Sequence, residues 1–134
     1  MGANFTLATP EGYGLPEDTY KLALDFAEAS GSKITLMKDP KEAVTNADVI
    51  YTDTWTSMGQ EEEAAKREAI FHPYQVNADL VNLAKENVIV MHCLPAHRNH
   101  EITDEVADGP HSRLFPQAHN RMHAQKAILA KILS

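Results

Sequence analysis

The run Val88-Ile89-Val90-Met91, together with the His92-Cys93-Leu94-Pro95-Ala96-His97-Arg98 that follows it, constrains the fold of this chain more than any other stretch. Four consecutive apolar residues, three of them β-branched, match a strand covered on both faces in a parallel sheet, since a strand with one wet face alternates apolar with polar. The run stops at His92, and Pro95 cannot donate a ladder hydrogen bond, so the chain leaves the sheet there. His92, Cys93 and Leu94 are therefore expected at the carboxyl end of a strand, the edge at which open α/β sheets bind ligands.

Before and after that run, strand and helix signals alternate. Residues 4–9 read as a first strand, closed by Pro10, Gly12 and Gly14. Pro16 opens a helix with Glu17 and Asp18 in its first turn and with Leu22, Ala23, Phe26 and Ala27 as its apolar face; Ser30-Gly31 ends it. Residues 33–37 form a second strand, Asp39-Pro40 caps a short helix, and residues 48–52 form a third strand. Residues 60–70 read as a charged helix, Asn77 caps another that carries Leu80, Val81 and Leu83, and residues 118–133 form a last helix. Met122, Ile128, Leu129, Ile132 and Leu133 are its expected buried stripe. Strands separated by helices imply right-handed β-α-β crossovers, hence a three-layer α/β/α, doubly wound (Rossmann-like) parallel sheet. In that topology the ends of the third and fourth strands, at Asp53 and His92, share one edge and one crevice.

At 134 residues the chain is expected to be a single domain with a core of its own. Its net charge of −7, with no basic stripe, argues against nucleic acid and anionic membrane surfaces as partners. No apolar run reaches transmembrane length and no signal-peptide pattern opens the chain, so a cytoplasmic protein is expected. The single cysteine, Cys93, excludes an intramolecular disulfide and fits a reducing compartment.

Within the expected crevice, Asp53 offers a carboxylate to a substrate ammonium, although a lone Asp after a strand as readily caps a turn. Ser57-Met58-Gly59 offers a hydroxyl and successive backbone N–H groups just before a helix, an arrangement suited to a carboxylate; the plain alternative is an N-cap serine. Trp55 and Met58 more often pack than bind, but beside a crevice they can close over a ligand. A lone cysteine at a strand end is more often a small buried hydrophobe, and His92 takes the same discount.

Three motifs taken together carry a resemblance. Asp53-Thr-Trp-Thr-Ser57-Met58-Gly59, His92-Cys93-Leu94-Pro95-Ala-His-Arg98 and Asn120-Arg121-Met122-His123-Ala-Gln-Lys126-Ala closely resemble, in order and at similar spacing, the carboxyl-terminal, ornithine-binding domain of ornithine carbamoyltransferases. The resemblance runs from residue 3 to the end, and aspartate carbamoyltransferases share neither the Ser-Met-Gly loop nor the cysteine. It implies transfer of the carbamoyl group of carbamoyl phosphate to the side-chain amine of L-ornithine, giving citrulline and phosphate, in arginine metabolism. It further implies that Asp53, Ser57 and Met58 hold the α-amino and α-carboxylate groups of ornithine. Cys93 is implied to lie near the attacking amine, the backbone at Cys93 and Leu94 to touch the carbamoyl amide, and Arg121 to polarise the carbamoyl carbonyl. Neither a metal nor an organic cofactor is implied, and the full-length enzyme is implied to be a homo-oligomer.

His72-Pro73-Tyr74-Gln75 matches a His-Pro-x-Gln pattern that the family uses for carbamoyl phosphate in its other domain; here His72 reads as structural or surface. The family's amino-terminal domain, with its arginine-rich phosphate loop, has no counterpart in the sequence, nor does the strand that normally opens the ornithine domain. The chain is thus expected to be one domain of a two-domain enzyme, with a non-catalytic amino-acid-binding module or an inactive remnant as the alternative. The absent strand belongs between the first and third strands, so either two inner edges stay unpaired or those strands are forced together.

Overall fold

The computed structural model describes residues 2–56 and 61–133. In chain order its elements are β1 (Phe5–Ala8), α1 (Glu17–Ser30), β2 (Ile34–Met37), α2 (Pro40–Val44), β3 (Val49–Thr52), a 3₁₀ turn (Glu61–Glu63), α3 (Ala64–Phe71), a second 3₁₀ turn (His72–Tyr74), α4 (Ala78–Val81), β4 (Ile89–His92), α5 (Asp104–Ala107) and α6 (Leu114–Leu133). Local chemistry explains the boundaries. Gly31 ends α1 in the left-handed conformation at φ 68, which a residue without Cβ adopts freely. Asp39 Oδ1 accepts the Lys41 N–H at 2.8 Å at the start of α2, and Asn77 Oδ1 accepts the Leu80 N–H at 3.0 Å at the start of α4.

All four strands pair in parallel, β1 with β2 and β3 with β4. Among the described residues no ladder joins the two pairs, so the sheet is two parallel ribbons. Among the described residues β1 and β3 therefore each keep one edge with no ladder partner.

The core gathers on β4. Val88, Val90 and His92 are buried and pack with Ile50 from β3, Val76, Leu80 and Val81 around α4, Ile102, Val106 and Ala107 at α5, and Leu114 at the start of α6. Ile89 and Met91 are half-buried, so β4 is covered fully on one face and partly on the other. Beyond β4 the segment at residues 111–113 runs alongside: the Val90 N–H donates to the His111 carbonyl at 2.9 Å and the Arg113 N–H to the Val90 carbonyl at 2.8 Å.

Two apolar faces depart from expectation. On α1, Ala27 is buried and Ala23 half-buried, while Leu22 and Phe26 are exposed. On α6 the expected stripe is exposed throughout, from Met122 at 42% to Leu133 at 82%. The reason is geometric: α6 meets the core through the buried Leu114, then runs 20 residues, about 30 Å, past the short sheet, and every described residue from Asn120 on is exposed. It also begins four residues before the expected Ala118, because Pro116 sits in the first turn, where its missing N–H has no intrahelical partner to lose.

Candidate functional site

The register of β3 and β4 builds the site. Thr52 pairs with His92, so the next residues on each strand, Asp53 and Cys93, leave the sheet side by side. The Cys93 thiol donates to Asp53 Oδ1 at 2.9 Å, and the Thr54 N–H donates to the same oxygen at 2.7 Å. Asp53 is exposed and Cys93 half-buried. Burial pushes the Cys93 thiol up first, and the hydrogen bond and negative charge of Asp53 push it further; its own backbone and Tyr51 act against the shift. The sulfur therefore stands as a protonated donor to the carboxylate, whereas a thiolate would face a like charge across 2.9 Å.

One expected result follows from this geometry. Alkylation of Cys93 by iodoacetamide at pH 8 is slower than that of an unhindered cysteine, and its pH midpoint lies above the ordinary thiol value. Asp53→Asn keeps an acceptor but removes the charge, so the midpoint falls and the rate at pH 8 rises severalfold. An unchanged rate in the variant would show that the carboxylate does not govern the thiol.

His92 has a different task. Its ring is fully buried; Nδ1 accepts the Leu94 N–H at 2.9 Å, which leaves the proton on Nε2 to be donated to Glu101 Oε1 at 3.1 Å. The same Glu101 oxygen accepts the His97 N–H at 2.6 Å, and the Glu101 side chain is itself buried. Glu101 thus ties both ends of the loop after β4. Within that loop Leu94 has φ 55, a left-handed conformation that costs a non-glycine residue about 1–2 kcal/mol, and the Leu94–Pro95 peptide is cis. Asp53, His92 and Cys93 present potential ligand atoms within 4.8 Å of one another. Both imidazole nitrogens of His92 are already engaged, however, so the set does not fit a metal ion.

Neighbouring residues of the sequence motifs hold the frame. Arg98 grips Asp108 through two nitrogens, at 2.6 and 2.8 Å, and Asp104 at 2.8 Å, fixing the loop to α5; this pairing raises the Arg98 guanidinium and lowers the Asp108 carboxyl. Trp55 packs on Phe71 and His100, at ring-centroid distances of 6.2 and 6.5 Å. In the His72-Pro73-Tyr74-Gln75 segment His72 is on the surface, one of the two placements expected of it, and Gln75 Nε2 donates to the carbonyls of Asn99 and His100 at 3.0 and 2.8 Å.

Ser57 and Met58 lie outside the described residues. Arg121 stands on α6, exposed, with neither a hydrogen bond nor an ion pair among the described residues. Its helix is anchored to the site by Gln117, whose Oε1 accepts the His92 N–H at 3.0 Å and whose Nε2 donates to the Tyr51 hydroxyl at 3.0 Å. Sequence reasoning missed Glu101, Gln117 and Tyr51. No spacing signals them: Gln117 reaches His92 and Tyr51 across 25 and 66 residues, and Glu101 reaches His92 across a short irregular loop that has no periodicity.

The family model described as the Asp/Orn-binding domain of aspartate/ornithine carbamoyltransferase matches residues 1–132. The chain is 54% identical over 133 residues to an anabolic ornithine carbamoyltransferase of Pyrococcus furiosus, covering 99% of this chain and 42% of that protein. It is 55% identical over 134 residues to an ornithine carbamoyltransferase of Listeria innocua, again across 99% of this chain and 42% of the relative. Among solved structures, the ornithine carbamoyltransferase from Pyrococcus furiosus superposes with a TM-score of 0.91 at 56% identity, over 96% of this chain and 41% of that one. The chain thus spans less than half the length of the relatives it matches.

Proposed function

The chain belongs to the aspartate/ornithine carbamoyltransferase family as its Asp/Orn-binding domain, and from that premise we propose that it supplies the ornithine half-site of an ornithine carbamoyltransferase. The observation that carries this reading is the Asp53–Cys93 pair, held 2.9 Å apart at the ends of two parallel strands in register. In the proposed complex the Asp53 carboxylate receives the α-ammonium of L-ornithine and the Ser57-Met58 segment receives its α-carboxylate. The side-chain amine then lies by Cys93. Once the ammonium has given one proton to solvent, its lone pair attacks the carbamoyl carbon; a C–N bond forms, the C–O bond to phosphate breaks, the departing phosphate takes the second proton from the amine nitrogen, and citrulline and phosphate leave. Arg121 faces the oxyanion that develops on the carbamoyl oxygen, and the Leu94 backbone, held in its unusual conformation by His92, receives the carbamoyl amide.

On this reading the 134 residues are one domain of a two-domain enzyme, and the phosphate of carbamoyl phosphate is bound by polypeptide outside them. The assembled enzyme is a cytoplasmic homo-oligomer that uses no cofactor and binds neither nucleic acid nor membrane. The net charge of −7 argues against nucleic acid and anionic membrane surfaces as partners; among the described residues no helix is long and apolar enough to cross a membrane.

Calorimetric titration of the purified chain with L-ornithine, with and without carbamoyl phosphate, tests the half-site. Saturable binding is expected, weakened about tenfold or more by Asp53→Asn, since a hydrogen bond to a charged group contributes about 1.5–3 kcal/mol. Ser57→Ala is expected to weaken it as well. Absence of binding by a demonstrably folded sample, or binding indifferent to both substitutions, refutes the assignment of these residues to ornithine.

A further inference from the structure

Two histidines on α6 are used by none of the chemistry above. His119 and His123 lie one helical turn apart, both exposed, with their Nε2 atoms 3.1 Å from each other and their rings meeting edge to face at 4.8 Å. Among the described residues no other two imidazole nitrogens come within hydrogen-bond distance. The remaining histidines are otherwise placed: His92 and His111 have ring nitrogens bound internally, His97 and His100 face carboxylates, and His72 stands apart from the other imidazoles.

A separation of 3.1 Å is what a shared ion requires. With metal–nitrogen bonds of about 2.0–2.1 Å, two nitrogens on one ion lie about 2.9 Å apart at a right angle and about 3.4 Å apart at the tetrahedral angle. Helical spacing of four residues supplies the alignment without any long-range packing. We propose that His119 and His123 form a two-imidazole binding site for a borderline divalent transition ion of the Zn²⁺ or Ni²⁺ class, with water completing the coordination. Imidazole pairs select that class over Mg²⁺ and Ca²⁺, which take oxygen ligands. In the ion-free pair one Nε2–H donates to the other Nε2. On binding, that proton moves to Nδ1 of the same exposed ring, so both Nε2 lone pairs reach the ion while each ring keeps one proton.

The site is separate from the carbamoyl chemistry. At about 100° per residue, His119 and His123 centre about 160° from the face that carries Gln117 and Arg121. Gln117 turns toward β3 and β4, so the histidine pair lies on the outer side of the helix. Lys126, three residues beyond His123, is the nearby cation on that side and works against the ion. The affinity is therefore that of an open two-ligand site and not of a closed structural one. An ion held at residues 119 and 123 clips one turn of α6, the helix that bears Arg121 between them.

The test is calorimetric titration of the untagged full chain with NiCl₂, beside His119→Gln, His123→Gln and Cys93→Ser. Circular dichroism checks that each variant keeps its helix content, which substitution at exposed helical positions leaves unchanged. One Ni²⁺ per chain is expected for the parent and for Cys93→Ser, with affinity lower by at least tenfold in each histidine variant. Amide exchange across residues 119–123 slows on addition of Ni²⁺ in the parent and not in the variants. Failure to bind Ni²⁺, binding that survives both histidine substitutions, or binding lost only in Cys93→Ser overturns the proposal.

Discussion

Glu101→Ala lowers the stability of the chain by about 2–5 kcal/mol, because two buried N–H donors lose the one carboxylate that accepts them, at about 1–3 kcal/mol each. In the parent one carboxylate oxygen accepts both the His92 Nε2–H at 3.1 Å and the His97 backbone N–H at 2.6 Å. Truncation strands the imidazole donor at a position with no access to water, and it opens a cavity beside the fully buried Ile102. Glu101→Gln is the informative contrast. Its amide oxygen can stand where Oε1 stands and keep both bonds, so it costs only about 1 kcal/mol for the lost charge assistance. Urea unfolding should show a midpoint shift at constant slope, large for Ala and small for Gln. The Ala variant should also speed alkylation of Cys93, because the loop that begins there loses its tie at His97. Equal midpoints for the two variants would falsify the view that acceptor geometry at Oε1 holds this loop.

How much of this was legible in the chain depends on the range of the interaction. The caps at Asp39 and Asn77 act over two or three residues and were readable as residue types before a helix. That Asp53 meets the end of the fourth strand was readable too, since parallel pairing brings successive strand ends to one edge; the residue it bonds there, across 40 positions, is Cys93 rather than the expected His92, because β4 runs on through His92. Glu101 and Gln117 were not readable. Glu101 reaches His92 across nine residues of irregular loop, and Gln117 reaches Tyr51 across 66, so no periodicity points at either. The single turn of α5 is too short to show helical spacing at all. The exposed stripe on α6 teaches a different lesson: amphipathic spacing says which side of a helix is apolar, but not what covers it. Leu22 and Phe26 on α1 make the same point, since the small Ala23 and Ala27 lie closer to the sheet while the larger neighbours face out.

On the proposed function, Arg121→Gln in the assembled two-domain enzyme is expected to lower kcat about 10²–10³-fold, the usual consequence of removing one donor aimed at a developing oxyanion. The same substitution should leave the unfolding midpoint of the chain within error, because Arg121 is exposed and ties no described element together. That split separates a group acting on the reaction from one holding the fold. Gln117 supplies the second half of the argument. Arg121 follows it by four residues, about one turn, so the bonds from Gln117 to the His92 N–H and the Tyr51 hydroxyl set the height and rotation at which the guanidinium is carried. Gln117→Ala should therefore reduce kcat as well, by less than Arg121→Gln, with KM for ornithine nearly unchanged, since Asp53 and its loop keep their own contacts. Gln117→Glu should restore most of the rate: one carboxylate oxygen still accepts the His92 N–H, and the other accepts from a reoriented Tyr51 hydroxyl. Steady-state kinetics on the three variants decide the matter. Should Gln117→Glu behave like Gln117→Ala, the helix is not aligned through that pair of hydrogen bonds; should Arg121→Gln turn over at the parental rate, the oxyanion is met by another cation.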